Sequence, residues 1–272
     1  MATENIARPR AVVTGASSGI GAAFAERLAR DQYDLVIVAR RRERLETLAR
    51  QLQEKHSVSV EVMAADLTQP EQLEAVEKRA ADDTALELLL NNAGFGGYMP
   101  FVTLDLDRAE ELIRLQVLAV TRLTRAALPG MIRRGRGAII NVSSLLAFSA
   151  SLPSPLLPKR ATYAAAKAYV NTFTQILNAE LEGTGVKLQA LCPGRVRTEF
   201  HQRMGVDAAS FPASMVMAPE DVVEASLVGL RLGEVICVPA LDDPNLLLTV
   251  EEGQRRLLEH SISGTLAKRY VP

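Results

Sequence analysis

The chain has little of what several specialised chemistries need. Its 272 residues include only two cysteines and three histidines. Cys192 and Cys237 are too few for a disulfide framework or a zinc site, and His56, His201 and His260 are scattered without ligand spacing. No metal site is expected. The formal net charge is −1, so there is no global basic field to attract nucleic acid or an anionic membrane. No apolar run approaches the roughly 20 residues that span a bilayer. The start, Met1-Ala2-Thr3-Glu4-Asn5, lacks the basic opening and apolar stretch of a signal peptide. Internal repeats and low-complexity linkers are missing too. These absences predict a cytoplasmic protein with reduced thiols. A composition of 48% hydrophobic and 23% charged residues suits one large α/β domain with a sizeable core.

What is there is an alternation of short apolar runs and amphipathic stretches. Strands are predicted at 11–13, 35–39, 58–63, 86–90, 137–142, 186–191 and 235–238. Helices fall between them, with a long helical region over 105–134 and another carrying Tyr163 to about Leu181. Such alternation demands right-handed crossovers and a parallel sheet covered on both faces. The expected architecture is a Rossmann-type doubly wound α/β sheet of seven parallel strands in the order 3-2-1-4-5-6-7. It forms a single domain over residues 1–272, with a substrate loop at about 199–218 and a C-terminal tail at 245–272. Ligands of such sheets bind outside the carboxyl ends of the strands, and every motif below falls at one of those ends.

The first strand runs into Thr14-Gly15-Ala16-Ser17-Ser18-Gly19-Ile20-Gly21, a turn of small residues that opens a helix. Backbone N–H groups and the helix dipole at such a turn favour a pyrophosphate, and the glycines allow its close approach. An ordinary strand-to-helix turn is the alternative. The second strand ends in Ala39-Arg40-Arg41-Arg42. An acid there binds the ribose 2′-hydroxyl of NAD, whereas an arginine accommodates the 2′-phosphate of NADP; Arg40 therefore points to NADP(H) over NAD(H). The same run also reads as a solvated basic start to the next helix. Asp66, beside Leu67, is placed to accept from an adenine amino group or to cap the helix near Pro70. Asn91-Asn92-Ala93-Gly94 suits close packing against a cofactor, although Asn91 can instead serve the backbone of the turn.

Tyr163-Ala164-Ala165-Ala166-Lys167 puts a phenol and an ammonium one helical turn apart on the same face. A phenol titrates near 10 and is a poor acid or base at neutral pH; a neighbouring ammonium favours the phenolate. Alone, the pair reads equally as a surface lysine beside a half-buried tyrosine.

Taken jointly, Thr14-Gly15-x-x-x-Gly19-x-Gly21, Asn91-Asn92-Ala93-Gly94, Ser144, Tyr163-x-x-x-Lys167 and Pro193-Gly194-x-Val196-x-Thr198 resemble the classical short-chain dehydrogenases/reductases, over about residues 8 to 240. The resemblance implies a catalytic set of Ser144, Tyr163 and Lys167, with Gln116 at the usual asparagine position. Tyr163 would be the general acid in carbonyl reduction, Lys167 would lower its pKa and hold the nicotinamide ribose, and Ser144 would stabilise the developing alkoxide. Ser143 is the other serine of the pair, and Ser144 is the family match. Gly15, Ser17, Ser18, Gly19, Ile20, Gly21, Arg40, Asp66, Leu67, Asn91, Asn92, Ala93, Gly94, Pro193 and Gly194 would surround the cofactor, with Val196 and Thr198 fixing its carboxamide. Family members often pair through the 105–134 and 162–181 helices, implying a homodimer or homotetramer.

Two features depart from the family pattern. Gln116 stands where an asparagine usually completes a water relay to the lysine, and its extra methylene should shift that relay or bend the helix differently. Ser144 and Tyr163 are also further apart than usual, with the surplus in 152–159; this apolar, proline-stiffened loop is either a lid on the substrate cleft or a harmless insertion. Cys192 reads as a packed small residue. The sequence points to an NADPH-dependent reductase of a small to medium, mainly apolar carbonyl compound, since 199–218 offers Met204, Phe211, Met215 and Met217. Arg195, His201 and Arg203 leave an acidic or acyl-carrier-linked substrate open. A dinucleotide-binding, redox-responsive protein with weak or no turnover is the alternative.

Overall fold

Apolar alternation decides how the strands are used. The computed structural model describes residues 8–152, 157, 159–202 and 211–271, with backbone alone for 201 and 202. Its strands are β1 (Arg10–Thr14), β2 (Asp34–Ala39), β3 (Val60–Ala64), β4 (Leu86–Asn91), β5 (Gly137–Val142), β6 (Val186–Leu191), β7 (Arg195–Val196), β8 (Val216–Met217) and β9 (Ile236–Cys237). Seven of them form one sheet in the order β3-β2-β1-β4-β5-β6-β9, and β7 and β8 form a separate pair. All neighbours run parallel, with Val12 of β1 beside Val36 of β2 and Leu89 of β4. The expected strand order is therefore the observed one, with β9 as its seventh strand.

The helices are α1 (Gly19–Arg30), α2 (Arg42–His56), α3 (Pro70–Ala81), α4 (Leu106–Ile113), α5 (Ala119–Arg134), α6 (Ala161–Glu180), α7 (Glu199–Gln202), α8 (Pro219–Leu232) and α9 (Asn245–Ser261). Successive strand residues point to opposite faces. Ala11, Val13, Leu35 and Ile37 therefore pack with Phe24 and Leu28 of α1, Leu45 and Leu52 of α2, and Val222 and Val223 of α8. Val12, Val36 and Val38 pack on the other face with Leu73 and Val76 of α3 and Leu123 and Met131 of α5. Phe24 has no exposed area; burying such a ring stabilises the fold by about 2–3 kcal/mol.

The 105–134 region is not one continuous helix. A π-helical turn over Arg114–Leu118 separates α4 from α5 and carries Gln116 inward, to 1% exposure. Such turns recur at functional sites, and this one bears the residue that departs from the family pattern.

Contacts divide the chain into two compact units at Pro239 and Ala240. The second unit holds α9 and a 3₁₀ turn at Lys268–Tyr270, and none of its described residues is buried. Along α9, Arg255 pairs with Glu252 and with Glu259, one turn away on either side.

Candidate active site

The carboxyl ends of β1, β2, β4, β5 and β6 open onto one cleft of about 940 Å³. Every candidate catalytic and coenzyme-binding residue lines it except Gly21 and Asn91. Both exceptions act from underneath. A Cβ on Gly21 would lie 2.4 Å from the Gly15 carbonyl oxygen, so only glycine lets α1 start against the turn. Asn91, expected beside the cofactor, is instead 3% exposed. Its amide donates to Thr124 Oγ1 at 3.1 Å and Asn141 Oδ1 at 2.8 Å, and Asn141 donates to Thr174 Oγ1 at 3.0 Å. This chain braces β4 and β5 against α5 and α6 below the cleft floor.

At one end the cleft is built mainly of backbone. Gly15 adopts φ +68°, which favours glycine, and a Cβ there would meet the Asn92 amide nitrogen at 2.6 Å. Thr14 Oγ1 accepts from the backbone nitrogens of Asn92 and Ala93 at 2.9 and 3.1 Å, locking the ends of β1 and β4 together. Ser18 precedes α1 without a side-chain cap bond, and the first turn of α1 holds no acid. The N–H groups and positive end of α1 are thus left for an anion. Asp66 accepts from the Thr68 nitrogen at 3.0 Å and hydroxyl at 2.8 Å, while Gln69 is the residue that precedes α3. It shapes the turn rather than capping the helix, and it stays on the cleft wall beside Leu67. The narrow glycine cradle and the uncapped helix end fit a dinucleotide pyrophosphate.

Sequence reasoning singled out Arg40, whose side chain is 58% exposed and stands 3.7 Å from Asp66. It overlooked Arg41, which lies across the glycine-rich turn. Arg41 donates to Ser17 Oγ at 2.9 Å, the Ser17 carbonyl at 3.3 Å and Ser18 Oγ at 2.8 Å. The signal was present in the triple-arginine run, but the choice among three adjacent arginines needed the geometry.

At the other end the cleft is built of side chains. Lys167 Nζ donates to the Val142 carbonyl at 2.9 Å, and Ser143 Oγ donates to the Lys167 carbonyl at 3.0 Å. These bonds dock α6 on the end of β5 and occupy Ser143, leaving Ser144 as the serine on the cleft wall beside Tyr163. Ser144 Oγ also accepts from the Leu146 nitrogen at 3.1 Å. Tyr163, Phe95, Leu112 and Ala166 form a small apolar cluster with Tyr98 and Phe200 against it. Tyr98 stands edge-on to Tyr163 with ring centres 5.2 Å apart, and Phe200 lies 6.1 Å away. Arg108 covers the Phe95 ring at 3.6 Å and Arg195 covers Phe211 at 4.3 Å.

Burial pushes the Tyr163 phenol well above its usual 10, with Tyr98 adding to the rise and the Ser144 hydrogen bond opposing it. Burial likewise draws Lys167 down to about 7. In this cleft desolvation disfavours both charged forms, so the phenol rises while the lysine falls. Tyr98 is pushed up to about 12 by burial, against its bond to Tyr163 and the charge of Arg195. Cys192, fully buried, is pushed up to about 12 by the same cause, which makes it an inert thiol.

Gln116 donates from Nε2 to the Phe95 carbonyl at 2.7 Å, and its Oε1 has no hydrogen-bond partner among the described residues. The longer side chain thus ties the π turn to the strand-end segment and makes no direct bond to Lys167. Of the 152–159 loop, Leu157 lines the cleft; residues 153–156 and 158 lie outside the described residues, as do Arg203, Met204 and the side chain of His201.

A family model described as short chain dehydrogenase matches residues 9–208. The chain belongs to the short-chain dehydrogenase/reductase family. It is thereby an oxidoreductase of a dinucleotide-binding family. It is 32% identical over 235 residues to the very-long-chain 3-oxoacyl-CoA reductase of Anas platyrhynchos, covering 84% of this chain and 72% of that protein. It spans only 60% of the length of the Mus musculus reductase of the same name, with 35% identity over 70% of this chain. Among solved structures, the short-chain dehydrogenase from Sphingobium yanoikuyae in complex with NADPH is 38% identical with a TM-score of 0.90, covering 96% of this chain and 100% of that one. The bulky-bulky ketone specific alcohol dehydrogenase from Comamonas testosteroni is 35% identical with a TM-score of 0.87, covering 97% and 99%. Among the described residues no helix is long and apolar enough to cross a membrane, and no cluster of ligating side chains suits a metal.

Proposed function

We propose that this short-chain dehydrogenase is an NADP(H)-dependent carbonyl reductase, or alcohol dehydrogenase in the reverse direction, for small to medium, mainly apolar ketones. One observation carries the reading: Ser144, Tyr163 and Lys167 meet at the aromatic end of the cleft that holds the glycine-rich turn and Arg41 at its other end. The NADPH and bulky-ketone descriptions of the two solved relatives support it. Gly15, Gly19, Asn92 and Arg41 would hold the phosphates and adenosine, and Lys167, Val196 and Thr198 the nicotinamide side. The bound dinucleotide supplies the hydride. Ser144 and Tyr163 donate to the substrate oxygen and stabilise the charge that grows there. Tyr163 then passes its proton to that oxygen. Tyr98, Phe95 and Phe200 exclude water from the reacting oxygen.

A binding protein without turnover is not favoured, since the catalytic trio is complete and brought together. Titrating NADPH and NADH by fluorescence, then adding a panel of ketones and aldehydes, tests the reading. Tighter NADPH binding with consumption on apolar ketones is expected; NADPH binding without consumption across the panel would overturn it. We propose further, from the family resemblance, a cytoplasmic homodimer or homotetramer paired through the 105–134 and 162–181 regions, and a monomer by light scattering at micromolar concentration would contradict that.

A further inference from the structure

The arginine that lies on the glycine-rich turn carries a carboxylate from far along the chain. Arg41 Nη1 bonds Glu199 Oε2 at 2.8 Å across 158 residues of sequence. Arg44 Nη1 pairs with the other oxygen, Glu199 Oε1. Glu199 is the first residue of α7, directly after Thr198 of the cleft wall and directly before Phe200, which stands 6.1 Å from the Tyr163 ring. One carboxylate therefore spans two guanidinium groups at the coenzyme end, and its neighbour in sequence touches the reactive end.

Stability does not account for this arrangement. The side chains of Arg41, Glu199 and Arg44 are 31%, 36% and 51% exposed, and pairs so exposed contribute little to folding. Recognition does account for it. Arg41 keeps one face of its fork on Ser17 and Ser18 and offers the other to an anion. Carboxylate and phosphate oxygens use the same guanidinium donors. A phosphate on the adenosine ribose can take those donors only by displacing Glu199 or by standing against its charge.

We infer that Glu199 is a specificity-determining residue, an internal carboxylate that competes with a nucleotide 2′-phosphate for Arg41 and Arg44. It lowers affinity for phosphorylated dinucleotides and leaves unphosphorylated ones untouched, and so sets how strongly the cleft discriminates between them. The inference rests on the NADP(H) reading above.

The test is calorimetric titration of the full chain with 2′,5′-ADP and with 5′-AMP, for the wild type, Glu199→Gln, Glu199→Ala and the double variant Glu199→Gln/Arg41→Ala. Thermal unfolding accompanies each titration, to show that the variants fold. Removing the carboxylate is expected to tighten 2′,5′-ADP by about fivefold or more, the equivalent of one solvent-screened like-charge contact, with 5′-AMP unchanged. The gain should vanish in the double variant. Wild-type preference for 2′,5′-ADP with no tightening, or with weakening, in both Glu199 variants overturns this inference alone. No preference for 2′,5′-ADP over 5′-AMP in any of the proteins overturns the NADP(H) reading together with it.

Discussion

The coenzyme end of the cleft presents backbone, and the reactive end presents side chains. At the first, Gly15 and Gly21 keep a narrow cradle open beneath the uncapped start of α1, and polar groups face outward toward an anion. At the second, Ser144, Tyr163 and Lys167 are 8%, 5% and 6% exposed and come from two separate segments, the turn that follows β5 and helix α6. The difference teaches where each end is vulnerable. The coenzyme end is sensitive to an added atom, because a Cβ on Gly21 meets backbone and one on Gly15 or Gly19 presses on Asn92 or Thr198. The reactive end fails when an atom is removed or a charge is altered, because its chemistry is set by desolvation and by a few hydroxyl contacts.

The largest effect should come from the reactive end. Tyr163→Phe is expected to slow ketone reduction by about 10²–10⁴-fold while NADPH affinity, measured by fluorescence titration, stays unchanged. A parallel loss of affinity would erase the separation between the two ends. The buried lysine gives the next effect. Folding lowers Lys167 from 10.5 to about 7, so between those values the unfolded chain holds a proton that the folded chain has released. Stability of the nucleotide-free protein should therefore rise with pH from about 7 toward 10, by up to about 1.4 kcal/mol per pH unit, and level off below about 7, where both states hold the proton. Lys167→Met should flatten that slope in denaturant titrations at several pH values.

At the coenzyme end, Arg41→Ala removes charge-assisted bonds worth about 1.5–3 kcal/mol, or roughly ten- to hundredfold in affinity. Equilibrium titration should show this loss for NADPH and much less for NADH; equal losses would return the role to Arg40. The smallest effect is expected from Gly21→Ala, which forces a Cβ against the Gly15 carbonyl. It should cost about 1–3 kcal/mol of stability by chemical unfolding and weaken both dinucleotides alike, with turnover at saturating coenzyme little changed.

Much of this was legible from sequence, and the reasons are local. The seven strands announce themselves because their aliphatic runs are buried on both faces, and the glycine-rich turn because its strand, turn and helix are contiguous. Tyr163 and Lys167 are legible because a helix fixes their spacing. The choice of Arg41 over Arg40 depends on which guanidinium lies across Ser17, which no spacing rule encodes. The π turn at Gln116 is tied to the Phe95 carbonyl 21 residues away, a contact no local pattern encodes. Glu199 gives no signal at all, because its partners are 155 and 158 residues distant. The reversed pKa relation between Tyr163 and Lys167 escaped for a different reason: helical spacing places both groups on one face, but the depth of burial belongs to the tertiary fold.

The most direct test of the account follows deuterium from the nicotinamide C4 position of labelled NADPH into a bulky apolar ketone, read by mass spectrometry of the product alcohol. Label is expected on the carbinol carbon with the wild-type protein, and almost none with Tyr163→Phe despite unchanged NADPH binding. Unlabelled product, or labelled product at wild-type rate from Tyr163→Phe, would contradict it.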